Sequence, residues 1–157
     1  MIKWIALFMT FSLLLYAPLS AQESEVVRWL SFEQLEDSLA VQPKKVFIDF
    51  YTDWCAYCRK MDQVIFTKEE VIKQLNKAYY AVRFDAETDS VVTFGGSQFI
   101  NDQLGKSRNP LHQIAILLAL RDGQFSAPAM VLLDEDFKVT ARYFEYMDSK
   151  RLLKALK

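Results

Sequence analysis

The chain has 157 residues, a formal net charge of −1, 52% hydrophobic residues and two cysteines, a length that fits one domain of ordinary size. The near-neutral balance argues against a nucleic-acid binder, which needs a basic patch. No apolar run after the N-terminus reaches the ~20 residues of a spanning helix, which excludes a membrane-embedded protein.

Met1 to Ala21 carries one charge, Lys3, and an apolar run from Trp4 to Tyr16 interrupted only by Thr10 and Ser12. A basic start, a short apolar stretch and the small-residue exit Leu19-Ser20-Ala21 predict a signal peptide over 1–21, cut before Gln22. The alternative is an uncleaved anchor, for which an apolar core of about 13 residues is short. On either reading the domain at 22–157 is expected in the periplasm or another extracytoplasmic compartment, with no membrane span after cleavage.

Val26 to Leu30 predicts a weak first strand. Ser31 and Gln34 form a capping-box pattern ahead of Phe32, Leu35 and Leu39, so a helix is expected to about Val41. Val46 to Tyr51 is a short apolar run with one charge, Asp49, and reads as a central strand buried on both faces. After Trp54-Cys55-Ala56-Tyr57-Cys58, Arg59 to Phe66 continues as helix with Met61 and Ile65 on one face. Thr67 and Glu70 predict a second capping box for a helix to Lys77, and Tyr79 to Phe84 returns to strand.

Residues 86–109 read as an insertion, with a hairpin in which Val91–Phe94 and Gln98–Ile100 flank Gly95-Gly96-Ser97. Asn109, followed by Pro110, is expected to cap a helix from Leu111 to Arg121 that is apolar almost all round, hence buried or covering a partner. Gly123 is its stop. Two strands, Pro128–Leu133 and Lys138–Phe144, follow around Asp134-Glu135-Asp136, and Asp148 caps a last helix that buries Leu152, Leu153 and Leu156. Alternating strands and helices imply parallel pairing, and the closing strand pair implies antiparallel pairing. The expected fold is α/β: one central mixed sheet with helices on both faces and a hairpin inserted between the third strand and the next helix.

Cys55 and Cys58 are three residues apart. A bridge closing so small a loop removes little unfolded-state entropy, so the pair is a poor staple and better suited to opening and closing. At the first turn of a helix, unpaired backbone N–H groups stabilise a Cys55 thiolate. Cys58, one turn further in and expected to be less exposed, can resolve a mixed disulfide. Zinc needs four ligands, and His112 is the one further soft ligand, so no metal site is expected. His112 itself reads as a surface or packing residue.

The stretch from Val46 to Lys60, with Asp49 six positions before Cys55, resembles the strand and active-site helix of the thioredoxin superfamily. Ala127-Pro128-Ala129 is similar to that family's cis-proline loop. Arg59-Lys60-Met61 followed by Val64-Ile65-Phe66 is similar to exported members akin to the periplasmic C-terminal domain of the transmembrane disulfide reductase. The resemblance covers nearly all of 26–157 apart from the insertion. It implies a thioredoxin fold, thiol–disulfide oxidoreductase activity on protein thiols and disulfides, and no metal or organic cofactor.

It also implies roles. Cys55 is the attacking thiol, Cys58 the resolving one, and Asp49 a buried carboxylate that accepts the Cys58 proton, its pKa raised by desolvation. Trp54 walls one side of the site, and Tyr57 and Arg59 flank the opening. Pro128 holds a cis bond so that the Ala127 backbone pairs with an extended substrate segment. Ala56-Tyr57 replaces the Gly-Pro of cytosolic reductants and lacks the His of strongly oxidising relatives. That favours a reductant or electron relay recharged by a membrane-embedded thiol donor. Glu145 stands near where many relatives have Gly, which implies a narrower or more acidic groove. The alternative reading is a binding module that presents the cis-proline groove and the insertion, with the cysteines as a redox latch.

Overall fold

In the computed structural model, residues 26–157 are described, and the predicted signal segment lies outside them. The elements run β1 (Trp29–Leu30), α1 (Phe32–Val41), β2 (Lys45–Tyr51), α2 (Ala56–Val64), α3 (Glu69–Ala78) and β3 (Tyr79–Asp85). A hairpin of β4 (Val92–Phe94) and β5 (Ser97–Phe99) follows, then α4 (Gln113–Leu118) and a second hairpin of β6 (Leu120–Arg121) and β7 (Gln124–Phe125). The chain closes with β8 (Ala129–Leu133), β9 (Val139–Tyr143) and α5 (Ser149–Ala155).

Every side chain of β2 from Val46 to Phe50 is buried. Such a strand must be paired on both edges and covered on both faces. The five-stranded sheet has the order β1-β3-β2-β8-β9. β1 and β2 run parallel to β3, whereas β8 is antiparallel to both β2 and β9. Period-two alternation then divides the core into two layers. Phe47, Met130 and Leu132 pack with Met61 of α2, Leu75 of α3 and Leu152 of α5. On the other face Val46, Ile48, Phe50, Val131 and Leu133 pack with Leu35 of α1 and Ile114 of α4. The expected mixed sheet with helices on both faces is the observed one.

Local signals set most boundaries. The Ser31 hydroxyl accepts the Gln34 N–H at 3.2 Å while the Gln34 side chain accepts the Ser31 N–H at 2.9 Å, closing the capping box of α1. Gly95 and Gly96, with φ of 61° and 71°, form the two-residue turn of β4–β5, so Ser97 belongs to the strand and pairs with Phe94.

Four elements depart from expectation. The first strand is only Trp29–Leu30, shorter than Val26–Leu30. The Thr67 box does not form: Thr67 Oγ1 donates back to the Gln63 carbonyl at 3.0 Å, and Lys68 stands at the N-cap of α3 without a side-chain bond. The helix expected over Leu111–Arg121 has six residues and is capped by His112, whose Nδ1 accepts the Ile114 N–H at 3.2 Å, not by Asn109. Its end is displaced because Asp122 and Gly123, with φ of 52° and 76°, turn Leu120–Arg121 into a hairpin with Gln124–Phe125. Ile114 and Ala115 are buried, but Leu117 is exposed. Leu153 of α5 is only partly buried, beside fully buried Leu152.

Phe47 is fully buried and meets the rings of Trp29 and Phe66 at 6.3 and 6.2 Å. Phe47→Ala is expected to cost about 3–5 kcal/mol in urea unfolding. A loss below about 1 kcal/mol would mean that this layer is not the packed core described.

Candidate active site

β2 ends at Tyr51, and a turn closed by the Cys55 N–H donating to the Thr52 carbonyl at 3.1 Å delivers the chain to α2. Cys55 is the N-cap residue, with φ −74° and ψ 101°, and its Sγ accepts the Cys58 N–H at 3.0 Å. A sulfur so placed receives an unpaired first-turn amide and the positive end of the helix, both of which favour a thiolate over a thiol. The two cysteines are joined in a disulfide of 2.06 Å with Cα atoms 5.3 Å apart. They are 4% and 3% exposed, so both are buried and the expected difference between them is slight.

Aromatic side chains stand on either side. Trp54 is 56% exposed, and its indole N–H donates to both carboxylate oxygens of Glu87 at 3.1 Å. Tyr57, 61% exposed, lies 6.0 Å from the ring of Tyr146, over which the Lys60 ammonium sits at 4.8 Å. Arg59 is turned back to donate to the Asp53 carbonyl at 2.6 Å. The Ala127–Pro128 peptide is cis. The β2–β8 register places Phe50 opposite Ala129 and so carries this loop to the end of β2, beside the cysteine turn. Glu145 does not make the rim acidic, because its carboxylate is paired with Arg151 at 2.5 Å.

Asp49 is 2% exposed on the sheet face that α2 covers. Burial pushes its pKa up to about 7; the Arg83 cation opposes the shift and the Asp62 carboxylate adds to it. Arg83 lies opposite Asp49 in the β2–β3 register, with Nε 3.6 Å from Asp49 Oδ2, near enough to act through charge but beyond hydrogen-bond length. Its Nη2 is committed to Asp62 of α2, and its guanidinium lies 4.2 Å from the Tyr51 ring. Asp49 Oδ1 has no hydrogen-bond partner among the described residues. One cation thus serves two carboxylates, and burial also raises the Asp62 pKa.

The structure brings Cys55, Cys58, Trp54, Tyr57, Ala127 and Pro128 to one end of the sheet and places Asp49 within it, behind α2. Sequence reasoning did not single out Arg83, Asp62, Glu87 or Tyr146. Asp62 carried a signal, since it stands one helical turn after Cys58. The other three meet the site only through strand register and loop packing. Among the described residues, no cluster of His, Cys, Asp and Glu is placed to hold a metal.

A redox-capable Cys-x-x-Cys pair at a helix start, beside a cis-proline loop at one end of a mixed sheet, defines a thioredoxin-like domain. The chain belongs to that family, whose model matches residues 32–157. It is similar to the thiol:disulfide interchange protein DsbD of Haemophilus ducreyi, 44% identical over 46 residues, 29% of this chain and 8% of that protein. With the same protein of Actinobacillus pleuropneumoniae it shares 35% identity over 86 residues, 45% of this chain and 15% of the relative. The chain therefore spans only a small part of these relatives. Among solved structures it is similar to the DsbH oxidoreductase, with TM-score 0.56, 19% identity and coverage of 84% of this chain and 83% of that one. The reduced C-terminal domain of Neisseria meningitidis DsbD gives TM-score 0.51, 15% identity and coverage of 78% and 87%. These structural likenesses show the fold.

A carboxyl whose folded pKa lies above its unfolded value stabilises the fold while protonated. For Asp49 that contribution is complete below the ordinary 3.8 and is lost as pH rises through about 7. The urea midpoint of the oxidised protein is expected to fall between about pH 4 and 7, and Asp49→Asn to remove most of that fall. Parallel pH profiles for the two proteins would contradict the assigned titration.

Proposed function

We propose that the protein is an exported thiol–disulfide oxidoreductase that reduces, or relays electrons to, protein disulfides through Cys55 and Cys58. The observation that carries this reading is the seat of Cys55 at the N-cap of α2, its sulfur 3.0 Å from the Cys58 amide nitrogen. In the reduced enzyme the Cys55 thiolate attacks one sulfur of a substrate disulfide. A mixed disulfide forms and the first substrate sulfur leaves as a thiolate. Cys58 gives its proton to the Asp49 carboxylate and, as a thiolate, attacks the Cys55 sulfur. The Cys55–Cys58 bond forms, the Cys55–substrate bond breaks and the second substrate thiolate departs. Two electrons pass to the substrate, whose sulfurs take up protons, and the enzyme ends in the disulfide state observed. A carboxyl titrating near 7 suits this proton exchange.

Trp54 and Tyr57 present exposed rings beside the sulfurs, and the Ala127 backbone beside Pro128 offers a strand-like edge to the substrate segment. The reductive direction is supported by Ala56-Tyr57, which puts no imidazolium next to Cys55. Export is supported by the residue pattern of 1–21. Among the described residues no helix is long and apolar enough to cross a membrane. A reductant in an oxidising compartment needs recharging, and a membrane-embedded thiol donor is the partner that fits.

In glutathione mixtures the Cys55–Cys58 potential is expected at about −230 to −270 mV, and Cys55→Ser to reduce insulin no faster than the uncatalysed reaction. A potential of about −120 to −180 mV would reverse the direction proposed. Insulin reduction surviving in Cys55→Ser would remove the assignment altogether.

A further inference from the structure

One cleft borders the site without belonging to the cysteine chemistry. It opens between β6 and the end of β9 and is lined by Arg121, Arg142, Tyr143, Phe144 and Glu145. β9 is the outer strand of the sheet, so the cleft follows an edge. It reaches the rim of the site at both ends of its walls. Glu145 directly precedes Tyr146, whose ring meets Tyr57, and β7, the partner of β6, ends two residues before Ala127.

The charges in this cleft do not cancel. Among the described residues Glu145 is the one acidic residue that lines it, and its carboxylate is paired with Arg151. Arg121 lies with its guanidinium 5.2 Å from the Phe144 ring, and Arg142 uses Nε to donate to the Leu118 carbonyl at 2.7 Å. Each cation is steadied by one contact, yet neither has an ion-pair partner among the described residues. A guanidinium held in place with free N–H groups has little more side-chain entropy to lose when it takes up a carboxylate. The Phe144 ring, with the Arg121 guanidinium over it, adds an aromatic surface to the cleft. The whole chain carries a net charge of −1, so a general pull on anions does not explain an attraction here.

We propose that this cleft is a docking groove for an acidic, extended segment of the polypeptide whose thiols or disulfide meet Cys55. Carboxylates in that segment pair with Arg121 and Arg142 while its chain runs from the cis-proline loop along β9. The partner's identity as a redox substrate rests on the function proposed above; the groove's preference for acidic peptide does not, and is tested without redox chemistry.

The experiment titrates short labelled peptides that contain no cysteine into the oxidised full-length protein at low ionic strength. One peptide carries alternating Asp and Glu, and its control carries Asn and Gln at the same positions. The acidic peptide is expected to bind about tenfold more tightly than the control, and the preference to shrink at high salt. Arg121→Gln/Arg142→Gln is expected to abolish it and Arg121→Glu/Arg142→Glu to reverse it. Lys150→Gln/Lys154→Gln, on the separate cleft between α3 and α5, is expected to leave it intact. Unchanged near-ultraviolet dichroism and unchanged reduction by dithiothreitol show that the variants are folded.

Equal binding of the two peptides, or an acidic preference that survives the arginine substitutions, would overturn the groove. So would a preference lost in the lysine variant. Displacement of the peptide by inorganic phosphate at matched ionic strength would assign the groove to a small anion instead. If the peptide preference holds but insulin is not reduced, the redox reading fails and the groove stands.

Discussion

The site depends on the pairing of β2 with β3 on one side and β8 on the other. β2 ends where the cysteine turn begins, and β8 begins one residue after Pro128. Because Phe50 lies opposite Ala129, the two loops meet although some 70 residues of chain separate them. A one-residue slip of either strand would turn the buried faces inside out, exposing Phe47 or Ile48 to the wrong layer. The two apolar layers that clamp β2 therefore also hold the two halves of the redox site in register.

The same clamp makes Asp49 unusual. A carboxyl with no hydrogen bond to one of its oxygens, sealed in a doubly covered strand, is expensive to ionise. The nearest cation, Arg83, is committed elsewhere: its outer nitrogen pairs with Asp62, and its flat face lies over Tyr51. Arg83 thus ties α2 to the sheet and tempers the Asp49 charge without neutralising it. A carboxyl in that balance can hold or release a proton near neutrality, as the proton exchange proposed for Cys58 needs.

The insertion is bound to the domain at several separate points. Glu33 and Glu36 of α1 accept the Thr93 and Gly95 N–H groups at 3.1 Å, covering the edge that β4 would leave open. The Asn101 amide is directed at the carbonyls of Glu87, Thr88 and Pro110, at 3.3, 3.2 and 2.9 Å. His112 is fully buried, and its Nε2 lies 3.2 Å from the Phe99 carbonyl while Nδ1 caps α4. Burial lowers its pKa and favours the neutral ring, against the bond to the Phe99 carbonyl, which raises it. Through Glu87 this framework also holds Trp54 at the active-site rim.

Much of this was legible from residues alone. The apolar run from Val46 to Tyr51, interrupted only by Asp49, marked a strand covered on both sides. Ser31 with Gln34 marked the start of α1, and Cys55 and Cys58 at a strand-to-helix junction marked the reactive centre. These are local facts, set by period, capping and spacing over a few positions. The Asp122-Gly123 pair carried a turn signal, but the greasy stretch before it read as continuous helix. What the tertiary structure alone decided lies across strands. Register put Arg83 opposite Asp49, packing set the Tyr146 ring on Tyr57, and sheet order left Arg121 and Arg142 facing one cleft. Each joins residues distant in the chain, and no periodicity within a segment encodes which distant side chain it will meet.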